Sequence, residues 1–592
     1  MKNFIKYTFA SLLGTLLTFF VIFLIFMGMI AAMSSAFSGD DKQITVKENS
    51  VLKLKLGKTL VDRQPINPLA KYGLGDDEGL VGMDRIFQVL KAAKEDSKIK
   101  GIYIDTRKLP GGGIASYEAL RKALLDFKSG GKFIYAYGEY YSQKDYYIAS
   151  VADKVVVNPV GAVDFKGLAA QIMFFKKAME KLDIEMQIIR GPNNKFKSAV
   201  EPFMYDQMSE ANKEQTNKFL SSIWESMLNE IAISRKLSVS QLQTIADSLS
   251  ASDAAMAKTV GLVDMVAYED QFMAELMKKI DVVDKDKYHE ITISDYATTV
   301  NKVANLKAKN KIAVIYAVGE IVSGEGNDQI IGSDRISKAV CKAREDSSIK
   351  AIVLRVNSPG GSALASEVMW RELVLAKEVK PVVVSMGNYA ASGGYYISCM
   401  ANKIIAEPTT ITGSIGVFGM IPNLKKFLNE RLGLTFDGVN TNANSDMGSV
   451  SQPLTPFQQK VIQNSVVDIY TAFITHVAEG RNMTVEQVDA IGQGRVWSGV
   501  DAIKIGLVDE IGGLDKAIVE AAKLAGIESY RITKRPELKD PFEEMIKKFG
   551  GNVKLSVIED ELGASYKYYE YVKKMQTMEG FQARLPYFIE IY

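Results

Sequence analysis

The stretch around Ser392 has the composition of a loop that presents a nucleophile. It follows an apolar run at 381–385, which predicts a buried strand, and it precedes an apolar pattern at 395–400 with helix-like spacing. Serine at a strand-to-helix junction, among residues as small as those at 390–394, is open to the approach of another backbone, as acyl transfer requires. The alternative is a Gly-rich turn that packs a helix on a sheet.

A second Gly-rich segment, Asn357–Ser362, follows a strand predicted at 351–356 and precedes a helix. Its glycines allow unusual backbone angles that bring N–H groups close to a bound carbonyl. Such a loop, together with the amide just after a nucleophile, makes an oxyanion hole. We expect the N–H groups of Gly361 and Gly393 to be the donors. A tight turn is the alternative, because Gly111–Gly112 occurs in the first half of the chain without a serine.

The base for Ser392 is expected to be a group other than histidine, because histidine is scarce: the chain has only His289 and His476. A lysine serves as a base only when neutral, and burial must lower its pKa from about 10.4 by several units. Lys197 lies in a segment, 195–203, where apolar residues interleave with lysine. The alternative is a surface lysine whose stem covers apolar groups.

Predicted strands and helices alternate from Gln43 onward. The strands are predicted at 51–56, 102–105 and 133–137, and the helices at 83–94, from 114 to 125 and from 143. Alternation of this kind is typical of an α/β fold with parallel strands.

The same order of motifs returns about 250 residues later. The matched pairs are Glu95–Lys100 with Glu345–Lys350, Pro110–Gly112 with Pro359–Gly361, and Tyr146–Ile148 with Tyr395–Ile397. A shift this steady across separated motifs indicates a tandem duplication. We therefore divide the chain into an N-terminal anchor at 1–40, a first repeat at 41–304, a second repeat at 305–540 and a tail at 541–592, with a linker at 305–310.

The duplication provides an internal comparison for the nucleophile. At an offset of 249, Ser392 corresponds to Gln143 and Gly393 to Lys144, so the first repeat has lost the serine and the glycines. Two copies with equal packing needs would both keep them, so the second copy is predicted to carry the chemistry. Lys197 corresponds to Asp446, so the second repeat lacks the lysine.

The N-terminus predicts a membrane span. Lys2 and Lys6 precede 33 residues without a charge, Tyr7–Gly39. This run is long enough to cross a bilayer, and the lysines favour a cytoplasmic N-terminus. We expect an uncleaved anchor that contacts lipid through residues 7–33. A cleavable signal is the alternative, since small residues occur at 31–36.

The composition argues against a nucleic-acid-binding protein, a disulfide-linked protein and a metalloprotein. A formal net charge of +2 over 592 residues gives no general attraction to nucleic acid. The two cysteines, Cys341 and Cys399, form no disulfide or metal pattern, and neither histidine lies in a ligand cluster. We therefore expect no metal and no organic cofactor.

Four motifs in order carry a family resemblance, together with the anchor and the duplication. They are Lys197–Phe203, Asn357–Gly361, Ala391–Tyr396 and Thr412–Gly416. The chain resembles the long, two-repeat form of the signal peptide peptidase A family, membrane-anchored serine proteases of the Clp-protease/crotonase superfamily. The predicted fold class is thus α/β, a tandem duplication of a Clp-protease/crotonase-like domain preceded by one N-terminal transmembrane helix.

The resemblance implies roles for three residues. Ser392 is the nucleophile, Lys197 is the general base, and Ser414 orients the lysine amine. For Ser414 the alternative is a turn serine, and Phe165, its counterpart in the first repeat, cannot orient an amine. Whether Lys197 and Ser392 meet within one chain or between chains stays open.

The resemblance also implies a setting. The enzyme would be a homotetramer on the outer face of the bacterial cytoplasmic membrane, and it would degrade signal peptides left in the bilayer. Two other functions are alternatives: a membrane-tethered scaffold that binds peptides without cutting them, and an acyl-thioester enzyme of the crotonase kind. The aromatic tail, 550–592, is expected to pack as an amphipathic helix on the body or on a neighbouring subunit, and the alternative is that it lines a peptide groove.

Overall fold

The computed structural model describes residues 2–36, 44–55, 59–65, 80–106, 111–284, 287–300, 308–538, 581–585 and 590–591. Residues 305–307 of the predicted linker and most of the predicted tail lie outside these residues. The chain begins with a long helix, α1 (Lys2–Ala36). Within the described residues, no helix combines the length and apolar character needed to cross a bilayer. The membrane span over 7–33 stays a prediction.

The first repeat alternates strands and helices, as predicted. Its strands are β1 (Ser50–Lys55), β2 (Thr59–Val61), β3 (Leu80–Gly82), β4 (Ile99–Asp105), β5 (Phe133–Gly138), β6 (Lys154–Val157), β7 (Ala170–Gln171), β8 (Glu185–Arg190), β9 (Met265–Val266) and β10 (His289–Thr292). Its helices are α2 (Met83–Glu95), α3 (Ile114–Ser129), α4 (Gln143–Ala149), α5 (Lys176–Lys181), α6 (Glu201–Met204), α7 (Glu210–Arg235), α8 (Val239–Ser248), α9 (Ala254–Thr259), α10 (Glu269–Lys279) and α11 (Ile293–Thr299).

The second repeat and the tail follow the same alternation. Their strands are β11 (Lys311–Val318), β12 (Glu320–Val322), β13 (Ile330–Gly332), β14 (Ile349–Ser358), β15 (Gly360–Ser362), β16 (Val382–Ala391), β17 (Lys403–Ala406), β18 (Ile411–Gly413), β19 (Phe418–Asn423), β20 (Val496–Ser498), β21 (Glu510–Ile511), β22 (Arg531–Arg535), β23 (Phe581–Arg584) and β24 (Glu590–Ile591). The helices are α12 (Ser333–Glu345), α13 (Ala363–Val379), α14 (Gly393–Tyr396), α15 (Pro456–Arg481), α16 (Val485–Ile491), α17 (Gly499–Ala502) and α18 (Leu514–Leu524).

The two main sheets have equivalent strand orders. The first is β10-β1-β4-β5-β6-β9, and the second contains the parallel series β22-β11-β14-β16-β17-β21. Helices of each repeat lie against its sheet, and α2 shows why. Its buried residues, Met83, Ile86, Val89, Leu90 and Ala93, recur at helical spacing and form one apolar stripe.

A third sheet joins the repeats beside the Gly-rich segments. Its order is β13-β12-β15-β23-β19-β8, so it combines β8 of the first repeat with strands of the second and with the tail strand β23. The segment around Gly361, predicted as a loop, is thus the short strand β15. The described parts of the tail form two strands, β23 and β24, and not the amphipathic helix that was expected.

Buried polar contacts tie the two repeats together. Asp62 accepts hydrogen bonds from the guanidinium of Arg355 at 2.7 Å and from the amide of Asn357 at 2.6 Å. Elsewhere, Asn388 bonds to both the backbone and the hydroxyl of Ser116. These contacts fix β14 and β16, which lead into the two Gly-rich segments, against the first repeat.

We predict that Asp62→Ala weakens the protein through this interface. The Asp62 and Arg355 side chains are 5% and 6% exposed, so the variant leaves a buried guanidinium without its carboxylate. The free energy of unfolding should fall by about 3 kcal/mol, measured by urea unfolding with circular dichroism.

The matched control is Asp126→Ala, which breaks a surface pair with Lys94, since the Asp126 side chain is 62% exposed. It should change stability by no more than about 0.5 kcal/mol. Equal losses in the two variants would show that the buried pair has no special role.

Candidate active site

Ser392 stands at a sharp turn between β16 and α14. Its backbone has φ 54° and ψ −114°, which a residue with a side chain seldom adopts. Two backbone bonds hold the turn: the N–H of Ser392 donates to the carbonyl of Gly413, and its carbonyl accepts from the N–H of Tyr396, both at 2.8 Å. Strain of this kind persists where the surroundings impose it, and it is common where a nucleophile is presented.

The structure brings three of the predicted residues into direct contact within one chain. The Nζ of Lys197 lies 2.8 Å from the Oγ of Ser392. The same nitrogen lies 3.0 Å from both the Oγ and the backbone carbonyl oxygen of Ser414. All three side chains are buried.

Burial lowers the pKa of Lys197 well below its usual value, because the surrounding protein cannot solvate an ammonium as water does. The three oxygen neighbours suit a neutral amine. In its neutral form the amine can donate its two N–H groups to the carbonyl and hydroxyl of Ser414 and accept the proton of the Ser392 hydroxyl on its lone pair. This arrangement can act chemically as a base in contact with a nucleophile.

The backbone of Lys197 is held between the two repeats. The N–H of Phe196 donates to the carbonyl of Gln493 at 2.9 Å. A Cβ on Gly494, which has φ +82°, would lie 2.4 Å from the Cβ of Lys197. Glycine is thus required at position 494 both by its backbone angle and by the close approach of the lysine.

Gln215, on α7, supports the same segment from the other side. Its amide nitrogen donates to the carbonyl of Phe196 at 2.9 Å and to the hydroxyl of Ser198 at 2.8 Å, and its oxygen accepts from the N–H of Val496 at 3.2 Å. Sequence reasoning missed Gln215 and Gly494. The glycine pair at 492 and 494 was an available signal, but one glutamine in a long helix gave none.

The predicted oxyanion residues lie beside the nucleophile. Gly393 follows Ser392, and the backbone of the Gly360–Gly361 segment approaches it closely. A Cβ on Gly360, whose φ is +99°, would lie 2.9 Å from the nitrogen of Gly393. A Cβ on Gly361, at φ +156°, would lie 2.1 Å from the carbonyl oxygen of Ile321. The segment fits here only because both residues are glycine.

The first repeat shows what replaced the serine. Gln143 holds the next loop by accepting from the N–H groups of Lys166 and Gly167 and donating to the carbonyl of Gly167, at 2.9–3.0 Å. Phe165, the counterpart of Ser414, is buried in the apolar core. This half therefore keeps the helix, α4, which begins after Ser142 with an ordinary φ of −64°, and it has structural contacts where the second repeat has Ser392 and Ser414.

No group of three or more histidine, cysteine, aspartate or glutamate side chains in the described ranges is arranged to hold a metal.

Comparison with known proteins supplies a family. Residues 126–283 and 375–528 match the model of Peptidase family S49. The two matches lie one in each repeat, which confirms the tandem duplication. Protease 4 of Salmonella typhi is 37% identical over 532 residues, which cover 87% of this chain and 84% of that protein. The "Serine protease SPPA, chloroplastic" of Arabidopsis thaliana is 30% identical and covers 91% of this chain and 78% of that protein.

One solved structure with a detectable likeness is a ClpP1 mutant from Listeria monocytogenes. It is 16% identical and covers 35% of this chain and 94% of that one, with a TM-score of 0.24. A score this low decides nothing about the fold, so the Clp-protease/crotonase type of domain stays a prediction.

We predict that Gly361→Ala removes activity without unfolding the protein. The added methyl group would overlap the carbonyl of Ile321 and displace the segment beside Ser392. Loss of one oxyanion donor typically lowers kcat by about 10²–10³-fold. The measurement is kcat with a fluorogenic peptide, alongside a circular dichroism spectrum.

Gly526→Ala is the matched control, because Gly526 also has a positive φ of +63° but no atom within 4 Å of an added Cβ. This variant should keep wild-type kcat. The prediction fails if Gly361→Ala also keeps it.

Proposed function

This chain belongs to peptidase family S49 and is a serine protease, and we propose that it cleaves peptide bonds with a dyad of Ser392 and Lys197. The observation that carries the proposal is the 2.8 Å distance between the buried Lys197 Nζ and the Ser392 Oγ. A lysine kept neutral by burial is the kind of base that can activate a serine near neutral pH.

Acylation begins with the attack of the Ser392 Oγ on the scissile carbonyl carbon, while Lys197 takes the hydroxyl proton. Negative charge develops on the carbonyl oxygen, and the N–H groups of Gly361 and Gly393 stabilise it. The tetrahedral intermediate collapses, the C–N bond breaks, and the lysine ammonium gives its proton to the leaving amine. In deacylation, Lys197 takes a proton from water while the water oxygen attacks the ester carbon. The C–O bond to Ser392 then breaks, the lysine ammonium returns the proton to the Ser392 oxygen, and the peptide acid is released.

Ser414 has a positioning role in this scheme. Its hydroxyl and carbonyl oxygens each lie 3.0 Å from the lysine nitrogen. Accepting both N–H groups leaves the lone pair directed at Ser392. The same two oxygens stabilise the ammonium that forms during attack.

The proposed substrates are signal peptides left in the membrane after secretion. The resemblance in the four motifs supports this choice. The first helix supports it as well, because its large apolar side chains are exposed, including Phe19 and Phe20. An apolar anchor would keep the active body close to membrane-held peptides. Because the chain is a serine protease, it is neither a non-catalytic binding scaffold nor an acyl-thioester enzyme.

The proposed setting is a homotetramer of Clp-protease/crotonase-like repeats on the outer face of the bacterial cytoplasmic membrane. Lys2 and Lys6 support a cytoplasmic N-terminus. Exposed apolar side chains after β19, among them Leu432, Leu434 and Phe436, support contact with a neighbouring copy.

The proposed membrane-anchored homotetramer predicts the mass of the assembly. After detergent extraction of the membrane fraction, native mass spectrometry should give four copies of the 65.3 kDa chain. Recovery of the chain in the soluble fraction would contradict the anchor, and a monomer mass would contradict the assembly.

The dyad predicts how substitutions affect the hydrolysis of a labelled signal peptide. Ser392→Ala should remove turnover, because the nucleophile is gone. Lys197→Met should lower kcat/KM by about 10²–10⁴-fold, the usual contribution of a general base. The control is Lys195→Met, since this exposed lysine lies two residues away and should be dispensable. Wild-type turnover in either dyad variant would show that the assignment is wrong.

The pH profile is a second readout of the same claim. Burial lowers the pKa of Lys197, so the amine is neutral above that pKa and protonated below it. Wild-type kcat/KM should therefore rise with pH on the acid side by up to about tenfold per unit and then level off. A flat profile from mildly acidic to alkaline pH would argue against a lysine base.

A further inference from the structure

The tail strand β23 lies in a groove beside the nucleophile. It is antiparallel to β15 on one side, where Ala583 is opposite Gly361, and antiparallel to β19 on the other side. Just beyond the strand, the N–H of Leu585 donates to the carbonyl of Pro359 at 2.7 Å. This groove, the space between β15 and β19, thus binds an extended segment through its backbone.

Ala583 lies next to the groups proposed to stabilise the oxyanion. The position of a Cβ on Gly360 is 2.2 Å from the carbonyl oxygen of Ala583 and 2.9 Å from the nitrogen of Gly393. The side chain of Ala583 is buried, so a small residue fits this point of the groove. The strand therefore passes directly beside Gly393, the residue that follows Ser392.

A charged contact fixes the next residue of the strand. The guanidinium of Arg584 donates to the carboxylate of Glu320 at 2.7 Å, and the two side chains are 6% and 23% exposed. Glu320 begins β12, whose Ile321 pairs with Gly361, so the carboxylate is fixed to the wall of the groove. A charge-assisted bond with so little exposure is stronger than a neutral one. The proposed chemistry of Ser392 and Lys197 makes no use of Glu320.

We propose that Glu320 forms a subsite for a basic side chain, arginine or lysine, in the residue that follows a small residue of the bound peptide. The chain's own segment 581–585 fills this subsite until a peptide of the same pattern replaces it. An acidic residue at that position is disfavoured, because its carboxylate would face Glu320. The inference rests on the proposed function for the identity of the groove as the substrate path.

The test measures binding, so that it does not depend on turnover. Fluorescently labelled Phe-Gln-Ala-Arg-Leu and Phe-Gln-Ala-Glu-Leu are titrated into the full chain carrying Ser392→Ala. The arginine peptide should bind at least about tenfold more tightly than the glutamate peptide. Adding Glu320→Lys should reverse this order.

Glu325→Gln is the matched control, because Glu325 is exposed and lies five residues further along the chain. It should leave the preference unchanged. An arginine preference that survives Glu320→Lys, or the absence of any preference in the parent chain, would overturn the subsite.

Arg584→Glu tests the chain's own strand. Since the glutamate would face Glu320, the strand should leave the groove and the arginine peptide should bind about tenfold more tightly. Unchanged affinity would show that the segment does not compete for the subsite. Failure of the proposed function would be a different result, namely wild-type hydrolysis by Ser392→Ala in the turnover assay.

Discussion

The buried amine of Lys197 is the constraint on which the rest of the active site depends. Burial without a carboxylate partner favours the neutral form of a lysine, and a neutral amine can donate two hydrogen bonds and accept one. Ser414 offers the acceptors at 3.0 Å, and Ser392 offers the donor at 2.8 Å. In the proposed dyad, one geometry thus satisfies the amine and activates the serine.

The duplication explains how such a site is assembled. The lysine comes from the first repeat and the serine from the second, 195 positions apart. Neither repeat contains both groups, so the site forms only when the repeats dock. Buried contacts such as Arg355 with Asp62 hold that arrangement, and they reach the strands that lead directly into the Gly-rich segments. Under the proposed mechanism, divergence of the copies has a physical reason, because each half keeps one part of the chemistry.

Much of the fold and of the active site could be predicted from the sequence, and the features that could not be predicted have clear physical causes. The alternation of strands and helices and the steady offset between matched motifs predicted the paired α/β repeats. The absence of serine at Gln143, in the first repeat, pointed to Ser392. Spacing alone could not identify Lys197, since contact across 195 residues depends on how two sheets meet; the family resemblance supplied it. Gln215 was missed because its role comes from three contacts that no local pattern encodes. The path of β23 depends on backbone pairing, whereas its aromatic neighbours in the tail suggested a packed helix.

The central claim is that a neutral Lys197 activates Ser392, and the rate of serine phosphonylation tests it most directly. A fluorophosphonate probe is reacted with the full chain and with Lys197→Met across a pH series, and the labelled residue is identified by peptide mass spectrometry. The account predicts labelling at Ser392, with a rate that rises through one ionisation in the wild type and loses that ionisation in the variant. Labelling at another residue, or the same pH dependence in both proteins, would contradict it.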